Sequence, residues 1–194
     1  MSRYVTVYPE NLKSEYTEYD SIDFVMTFEN RALVPNSVRL KADLEVYNSD
    51  GNTRLTDAHI FIDGKVGATA FVSSIQTDFQ NMGSVENFQE VARYCRMVHD
   101  ATLRADDLNN SEAVCELKVP KDDLTNFGLR GIAETLDGNG ANAVDFSIKP
   151  KFCLNNMSGP LNYTKSGTIR VNVKLARNAS ALYLGNNNTE TGPI

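Results

Sequence analysis

Tryptophan is absent from this 194-residue chain, and only two histidines and three cysteines occur. Sugar-binding β-sandwiches often present a tryptophan on an open face, so its absence weakens a carbohydrate-binding interpretation. Three cysteines cannot all pair within one chain, and the spacing of Cys95, Cys115 and Cys153 matches no zinc motif. We therefore expect free, buried thiols in a reducing compartment and no metal site.

The sequence also lacks the marks of membrane-spanning, exported and nucleic-acid-binding proteins. No apolar run approaches the roughly 20 residues of a membrane helix, and the N-terminal residues contain no apolar segment of signal-peptide length. Lysines and arginines are scattered through a chain of net charge −6, whereas phosphate contacts need a concentrated basic face. We expect no membrane span, no export by that route and no direct contact with nucleic acid.

Recognisable catalytic motifs are missing as well. There is no Gly-x-Ser-x-Gly elbow, phosphate loop or His-Glu-x-x-His, and His59 and His99 lie far apart in the sequence. The acidic pairs at 106–107 and 122–123 lie in polar turns, where neither carboxylate would have a raised pKa. The turn at 137–142 resembles a calcium loop but lacks the closing glutamate. We predict no catalytic residue, no metal and no cofactor, and hence no enzyme.

What the sequence does contain is long two-residue alternation of apolar and polar side chains. Residues 166–175 and 37–47 both show it, and they lie near opposite ends of the chain. In the first, the apolar set is Ile169, Val171, Val173 and Leu175, and the polar set is Arg170, Asn172 and Lys174. This period is typical of strands with one buried and one solvated face. It predicts a β-structure that closes on itself.

One segment has a helical period instead. Between Ser84 and Ala105, apolar side chains recur every three or four residues; they are Phe88, Val91, Cys95 and Val98, followed by Thr102. Such a stripe predicts one long helix over about residues 84–105. Ser84 is the expected N-cap, and Glu86 lies in the first turn, where the helix dipole favours a negative charge.

Further strands are predicted at 21–28, 59–63, 67–72, 74–80, 113–119 and 142–152. Five strands then precede the helix and three follow it, which excludes a parallel α/β fold. We predict an all-β fold, an eight-stranded antiparallel jelly-roll sandwich with one long inserted helix. Residues 21–184 would form this single domain, and residues 185–194 a polar tail that does not pack. An immunoglobulin-like sandwich is the alternative, although an inserted helix counts against it.

Residues 1–20 carry a cluster of tyrosines, namely Tyr4, Tyr8, Tyr16 and Tyr19. Tyrosine offers a large contact area at a low cost in conformational entropy, so one hypothesis makes this segment an arm that docks on a neighbouring subunit. The other makes it an edge strand that covers the sandwich of its own chain. The residue pattern leaves both open.

The order of strands and helix resembles one barrel of the double-jelly-roll major capsid proteins, which build the shells of tailless icosahedral DNA viruses related to adenoviruses and tectiviruses. The residues that carry this resemblance are the strands Ile22–Phe28 and Pro35–Leu44, then Phe71–Gln76 with the helix after it, and finally Leu161–Leu175. Members of that family carry two barrels in one chain, whereas 194 residues suffice for one. A single barrel would suit a vertex (penton) protein, a single-barrel subunit or the first half of a longer protein.

The resemblance implies a structural protein of the virion, assembled inside the host cell through contacts between subunits. Its partners would be other capsid subunits, in a homo-oligomer that is a trimer or a pentamer, with a second capsid or vertex protein as a further candidate. A ligand-binding β-sandwich, of the carbohydrate-binding or adhesion type, is the alternative from another functional class. It predicts a discrete monomer with an aromatic-lined groove, whereas the capsid interpretation predicts large contacts between copies.

Overall fold

The computed structural model describes residues 3–29, 31–45, 59–102, 114–118, 129–131, 144–186 and 189–193. The strands are β1 (Ser21–Met26), β2 (Ala32–Leu33), β3 (Leu40–Leu44), β4 (His59–Asp63), β5 (Val72–Phe79), β6 (Gly83–Gln89), β7 (Leu129–Gly131), β8 (Val144–Ile148), β9 (Leu161–Asn162), β10 (Ile169–Leu175), β11 (Leu182–Asn186) and β12 (Thr189–Pro193). The helices are a 3₁₀ helix (Gly67–Phe71), α1 (Val91–Thr102), α2 (Tyr163–Ser166) and α3 (Asn178–Ala181). All pairings between these strands are antiparallel. The prediction of a mostly β, antiparallel protein is confirmed.

The chain divides into two compact units, each assembled from three separate stretches. The first comprises Met1–Val38, Val72–Val91 and Lys149–Ala176, and the second comprises Arg39–Phe71, Ala92–Ile148 and Arg177–Ile194. Strands that are distant in sequence therefore meet within each unit.

The first unit is built on a four-stranded sheet in the order β1-β10-β5-β6, and it also contains a two-stranded sheet of β2 and β9. Alternation along the strands gives this sheet one apolar face, because Ile22 stands opposite Val173 and Val173 opposite Ile75. Val173 and Ile75 are almost fully buried, and Ile169 is completely so. The strand predictions at 21–28, 74–80 and 166–175 are confirmed. β1 and β10 are shorter than predicted, whereas β5 begins two residues earlier and ends one residue earlier.

The second unit contains a four-stranded sheet in the order β12-β11-β4-β7 and a separate pair formed by β3 and β8. Its core includes a cluster of Val66, Ala70 and Ala181, against which Phe71 and Ala92 pack. An ion pair between Arg96 and Asp63 joins α1 to the end of β4.

The long helix predicted over 84–105 is wrong at its beginning. Residues Gly83–Gln89 form β6, a hairpin partner of β5, and the helix begins only at Val91 and spans 12 residues. Phe88 fits both periods, but it lies in β6 opposite Ile75. Main-chain pairing with β5 decides the outcome, and Ser84 is therefore not an N-cap. Residues 103–105 lie outside the described residues.

Two predicted strands are also absent from the described residues. The run predicted as a strand at 67–72 forms the 3₁₀ helix up to Phe71, because Gly67 has φ +61° and the Ala68 N–H donates to the Glu116 carbonyl at 2.8 Å. Of the strand predicted at 113–119, residues 114–118 are helical, turn or coil, and Leu117 has φ +57°. A positive φ cannot continue an extended strand.

Part of the C-terminal tail predicted at 185–194 lies in strands. Thr189–Pro193 forms β12, which pairs with β11, so backbone hydrogen bonds organise a segment whose side chains are polar. In the part of the chain that the structure describes, the sheets do not close into one barrel. The jelly roll and the single domain at 21–184 remain predictions.

Candidate contact surface and polar sheet face

Three of the four N-terminal tyrosines are exposed. Tyr4 is 94% exposed, Tyr8 74% and Tyr19 56%, whereas Tyr16 is half-buried. Val5, between the first two, is 65% exposed. Residues 4–8 therefore present large apolar and aromatic side chains to solvent.

The residues that follow are bound along the outer edge of β1. Pro9 forms a bridge with Phe24, and the Glu10 N–H donates to the Asp23 carbonyl at 2.7 Å. The Asn11 side chain continues this pairing, because its Nδ2 donates to the Ser21 carbonyl at 2.6 Å and its Oδ1 accepts from the Asp23 N–H at 3.0 Å. Residues 9–11 thus partly cover the edge of their own sheet, as one of the two hypotheses requires.

Tyr16 belongs to the loop that follows. Its hydroxyl donates to the Asn11 carbonyl at 3.0 Å and accepts from the Lys13 N–H at 3.3 Å. Lys13 Nζ lies 2.8 Å from Asp20 Oδ1 and 5.9 Å from the centre of the Tyr16 ring. Two hydrogen bonds hold the pKa of Asp20 below its ordinary value. The larger effect comes from the Lys13 ammonium and the smaller from the Thr17 N–H. The structure thus separates Tyr16, which stabilises the loop, from Tyr4 and Tyr8, which remain available for contact.

The outward face of the first unit's sheet is almost entirely polar. One row across β1, β10, β5 and β6 consists of Asp23, Asn172, Gln76 and Asn87. The next row holds Val25, Arg170, Asp78 and Ser84 in the same strand order. A polar surface of this kind faces water or another polar surface, because burying it against apolar side chains would leave its groups unsatisfied.

Side-chain hydrogen bonds organise this polar face. Asn172 Nδ2 donates to Asp23 Oδ1 at 2.5 Å and to Ser21 Oγ at 2.8 Å. Gln76 Nε2 donates to the two carboxylate oxygens of Asp78 at 3.3 and 3.2 Å. Sequence alternation marked Arg170 and Asn172 as outward, but it could not bring them to Asp23, Gln76 and Asp78. That requires the strand register.

An open groove of about 420 Å³ lies on this face. Glu10 of the N-terminal segment contributes to its lining, and the remaining lining residues come from β1, β5 and β10. Arg170 is exposed within it. The groove combines carboxylates, amides and a guanidinium with three apolar residues, Phe24, Val25 and Val171.

Cys153 contacts a residue on the opposite, inward face of the same sheet. The Cys153 N–H donates to Glu86 Oε2 at 2.8 Å. Burial raises the pKa of the Cys153 thiol to about 11, and the nearby Glu86 carboxylate acts in the same direction. All three cysteines are free, as predicted, but only Cys95 is buried, Cys153 is half-buried and Cys115 is exposed.

The other residues weighed for chemistry lie in separate elements or outside the described residues. His59 begins β4, and His99 lies in α1. The acidic pairs at 106–107 and 122–123 and the turn at 137–142 fall outside the described residues. Among the residues that the structure does describe, no group of three or more histidine, cysteine, aspartate or glutamate side chains could hold a metal ion.

None of the described helices has the length and apolar character needed to cross a membrane. No protein-family model matches the chain, and no curated protein matches it either.

Proposed function

We propose that this protein is a structural subunit of an icosahedral virion shell, with a jelly-roll fold, which acts by assembly with other subunits and not by catalysis. The antiparallel β architecture supports this proposal, because such sheets form stiff walls whose ends and edges meet neighbours. Its partners are further copies of the chain, in a trimer or pentamer, or a second shell protein. The virion shell is its location.

The observation that carries the proposal is the contrast within the N-terminal segment. Residues 9–11 are bound to β1, while Tyr4 and Tyr8 immediately before them are 94% and 74% exposed. Exposed aromatic side chains next to a fixed anchor are suited to contact with another subunit, since tyrosine is enriched at the centres of interfaces. Residues 3–8 are therefore the proposed contact segment.

Sedimentation velocity and electron microscopy of the full chain test this proposal. We expect trimers, pentamers or larger closed particles that form with rising protein concentration. The double variant Tyr4→Ala, Tyr8→Ala should dissociate at concentrations where the native chain is assembled. Met82→Ala is the control, because Met82 is 58% exposed in the turn between β5 and β6, outside the contact segment.

Two outcomes would count against the proposal. A native chain that sediments as a monomer at every concentration contradicts assembly and favours the alternative, a ligand-binding β-sandwich. Assembly that is unaffected by the double variant contradicts the role of residues 3–8. Circular dichroism of each variant checks that a loss of assembly does not come from a loss of folding.

A further inference from the structure

The groove on the polar face of the first unit lies outside the proposed contact segment and has no part in the assembly argument. Its charged lining consists of Glu10, Asp23, Asp78 and Arg170, and the amides of Gln76 and Asn172 lie between them. All of these residues belong to one compact unit. The groove is therefore formed within a single compact unit.

Arg170 has side-chain hydrogen-bond donors that are not used within the described part of the protein. It stands opposite Asp78 in the pairing of β10 with β5, yet its guanidinium forms no ion pair or hydrogen bond with any residue that the structure describes. The carboxylate of Asp78 is held by Gln76 instead. A guanidinium carries five N–H donors in a rigid fork, so this side chain can donate to a ligand at several points.

The acceptors in the groove are held in position by their neighbours. Asn172 fixes the Asp23 carboxylate and is itself bound to Ser21, and Gln76 fixes that of Asp78. Since both carboxylates lie on paired strands, ligand binding costs little side-chain entropy. Each carboxylate also retains acceptor capacity beyond these bonds, because an ionised carboxylate has about four lone-pair sites.

The arrangement of charges selects the class of ligand. Three carboxylates repel an anion, and the guanidinium of Arg170 offsets part of their attraction for a cation such as a polyamine. No group of three or more histidine, cysteine, aspartate or glutamate side chains among the described residues could hold a metal ion. A hydroxyl group suits both, because it donates to a carboxylate and accepts from a guanidinium. We propose that this groove binds a neutral, polyhydroxylated ligand, namely an uncharged glycan, with Arg170 as the principal donor and Asp23 and Asp78 as acceptors.

Saturation-transfer NMR on the full chain tests this binding. The probes are lactose, methyl α-mannoside and methyl β-N-acetylglucosaminide, with sialyllactose as the anionic and spermidine as the cationic comparison. We expect at least one neutral glycoside to bind at millimolar concentration. Arg170→Ala and Asp78→Asn should each weaken that binding about tenfold or more, since each removes a charge-assisted hydrogen bond.

Lys174→Ala is the matched control. Lys174 lies on the same strand and the same outward face as Arg170, is exposed, and does not line the groove. Arg170→Lys keeps the charge but removes the fork, and it should also weaken binding. The proposal is overturned if no neutral glycoside binds, if only spermidine or sialyllactose binds, or if Arg170→Ala binds as the native chain does. A thermal melt of each variant separates lost binding from lost folding.

Discussion

The side-chain amide of Asn155 pairs with both backbone groups of Val38. Its Oδ1 accepts from the Val38 N–H at 3.0 Å, and its Nδ2 donates to the Val38 carbonyl at 3.0 Å and to the Pro150 carbonyl at 2.8 Å. Asn155 is only 7% exposed, so water cannot readily replace these bonds. One buried side chain therefore supplies the pairing that an adjacent strand would otherwise give Val38.

Asn155→Asp tests this role. A carboxylate keeps the shape of the amide but cannot donate, so the carbonyls of Val38 and Pro150 lose their donor inside the protein. We expect the free energy of unfolding to fall by about 2 kcal/mol or more, measured by urea denaturation. Asn156→Asp, next in sequence and exposed, should change it by less than about 0.5 kcal/mol. Equal urea midpoints for the two variants would show that the buried bonds contribute little.

Gly67→Ala should be strongly destabilising. Gly67 has φ +61°, and an added Cβ would overlap the backbone carbonyl oxygen of Glu116. Gly83→Ala is the control, because Gly83 also has a positive φ, +78°, but no atom lies within 4 Å of the added Cβ. We expect a loss of about 1 kcal/mol at Gly83 from backbone strain alone, and a clearly larger loss at Gly67. Thermal unfolding of the two variants measures the difference, and equal losses would rule out the steric part of this argument.

The opposed carboxylates of Asp43 and Asp145 predict a dependence of stability on pH. They stand directly opposite in the pairing of β3 with β8, and the hydrogen bond that protonated Asp43 donates to Asp145, together with the negative charge of Asp145, raises the pKa of Asp43 above its ordinary 3.8. Because the pKa of Asp43 is raised in the folded state, protonated Asp43 stabilises the folded protein. This stabilisation is fully present below pH 3.8 and is lost as the pH rises through the raised pKa. Asp43→Asn should therefore melt at a higher temperature than the native chain at pH 7. The gap between their melting temperatures should shrink on acidification, and a gap independent of pH would contradict the coupling.

Asp20 should show the opposite sign. Lys13 and the Thr17 N–H lower the pKa of Asp20 below 3.8, so its stabilising effect is present above pH 3.8 and is lost as the pH falls through the lowered value. Amide hydrogen exchange reports this locally, because the Thr17 N–H donates to Asp20 Oδ2 at 2.9 Å. Asp20→Asn should reduce the protection of Thr17 at pH 7 and leave that of residues in β10 unchanged. Unaltered protection at Thr17 would show that Asp20 does not hold this loop.

The three cysteines should react with N-ethylmaleimide at different rates. The pKa of Cys153 is about 11, so at pH 8 only about one molecule in a thousand carries the reactive thiolate. Cys115 is exposed and Cys95 is buried. Peptide mapping by mass spectrometry should find Cys115 modified first. Modification of Cys153 as fast as Cys115 would contradict both its burial and its raised pKa.

Local periodicity was a reliable guide where one face of a strand is buried. Ile169, Val171 and Val173 alternate with polar residues, and all three are buried in β10. The same reasoning failed at Ser84–Gln89, because Phe88, Val91 and Cys95 are spaced as in a helix although Phe88 belongs to a strand. Periodicity indicates which side chains share a face, but it contains no information about the main-chain hydrogen bonds between β5 and β6.

The amino-acid sequence by itself determined the antiparallel β character of the chain, the existence of strands within 21–28 and 166–175, and the tyrosine-rich N-terminal segment. Those features follow from the alternation and composition of neighbouring residues. Only the tertiary structure decided that Asn172 meets Asp23, that Asn155 binds Val38, and that Tyr16 is used within a loop while Tyr4 and Tyr8 are exposed. The contacts of Asn172 and Asn155 join residues that are far apart in the sequence, and the contacts of Tyr16 are local but depend on the path of the loop. Local periodicity reports neither, because strand register and loop hydrogen bonding form only when the sheet assembles.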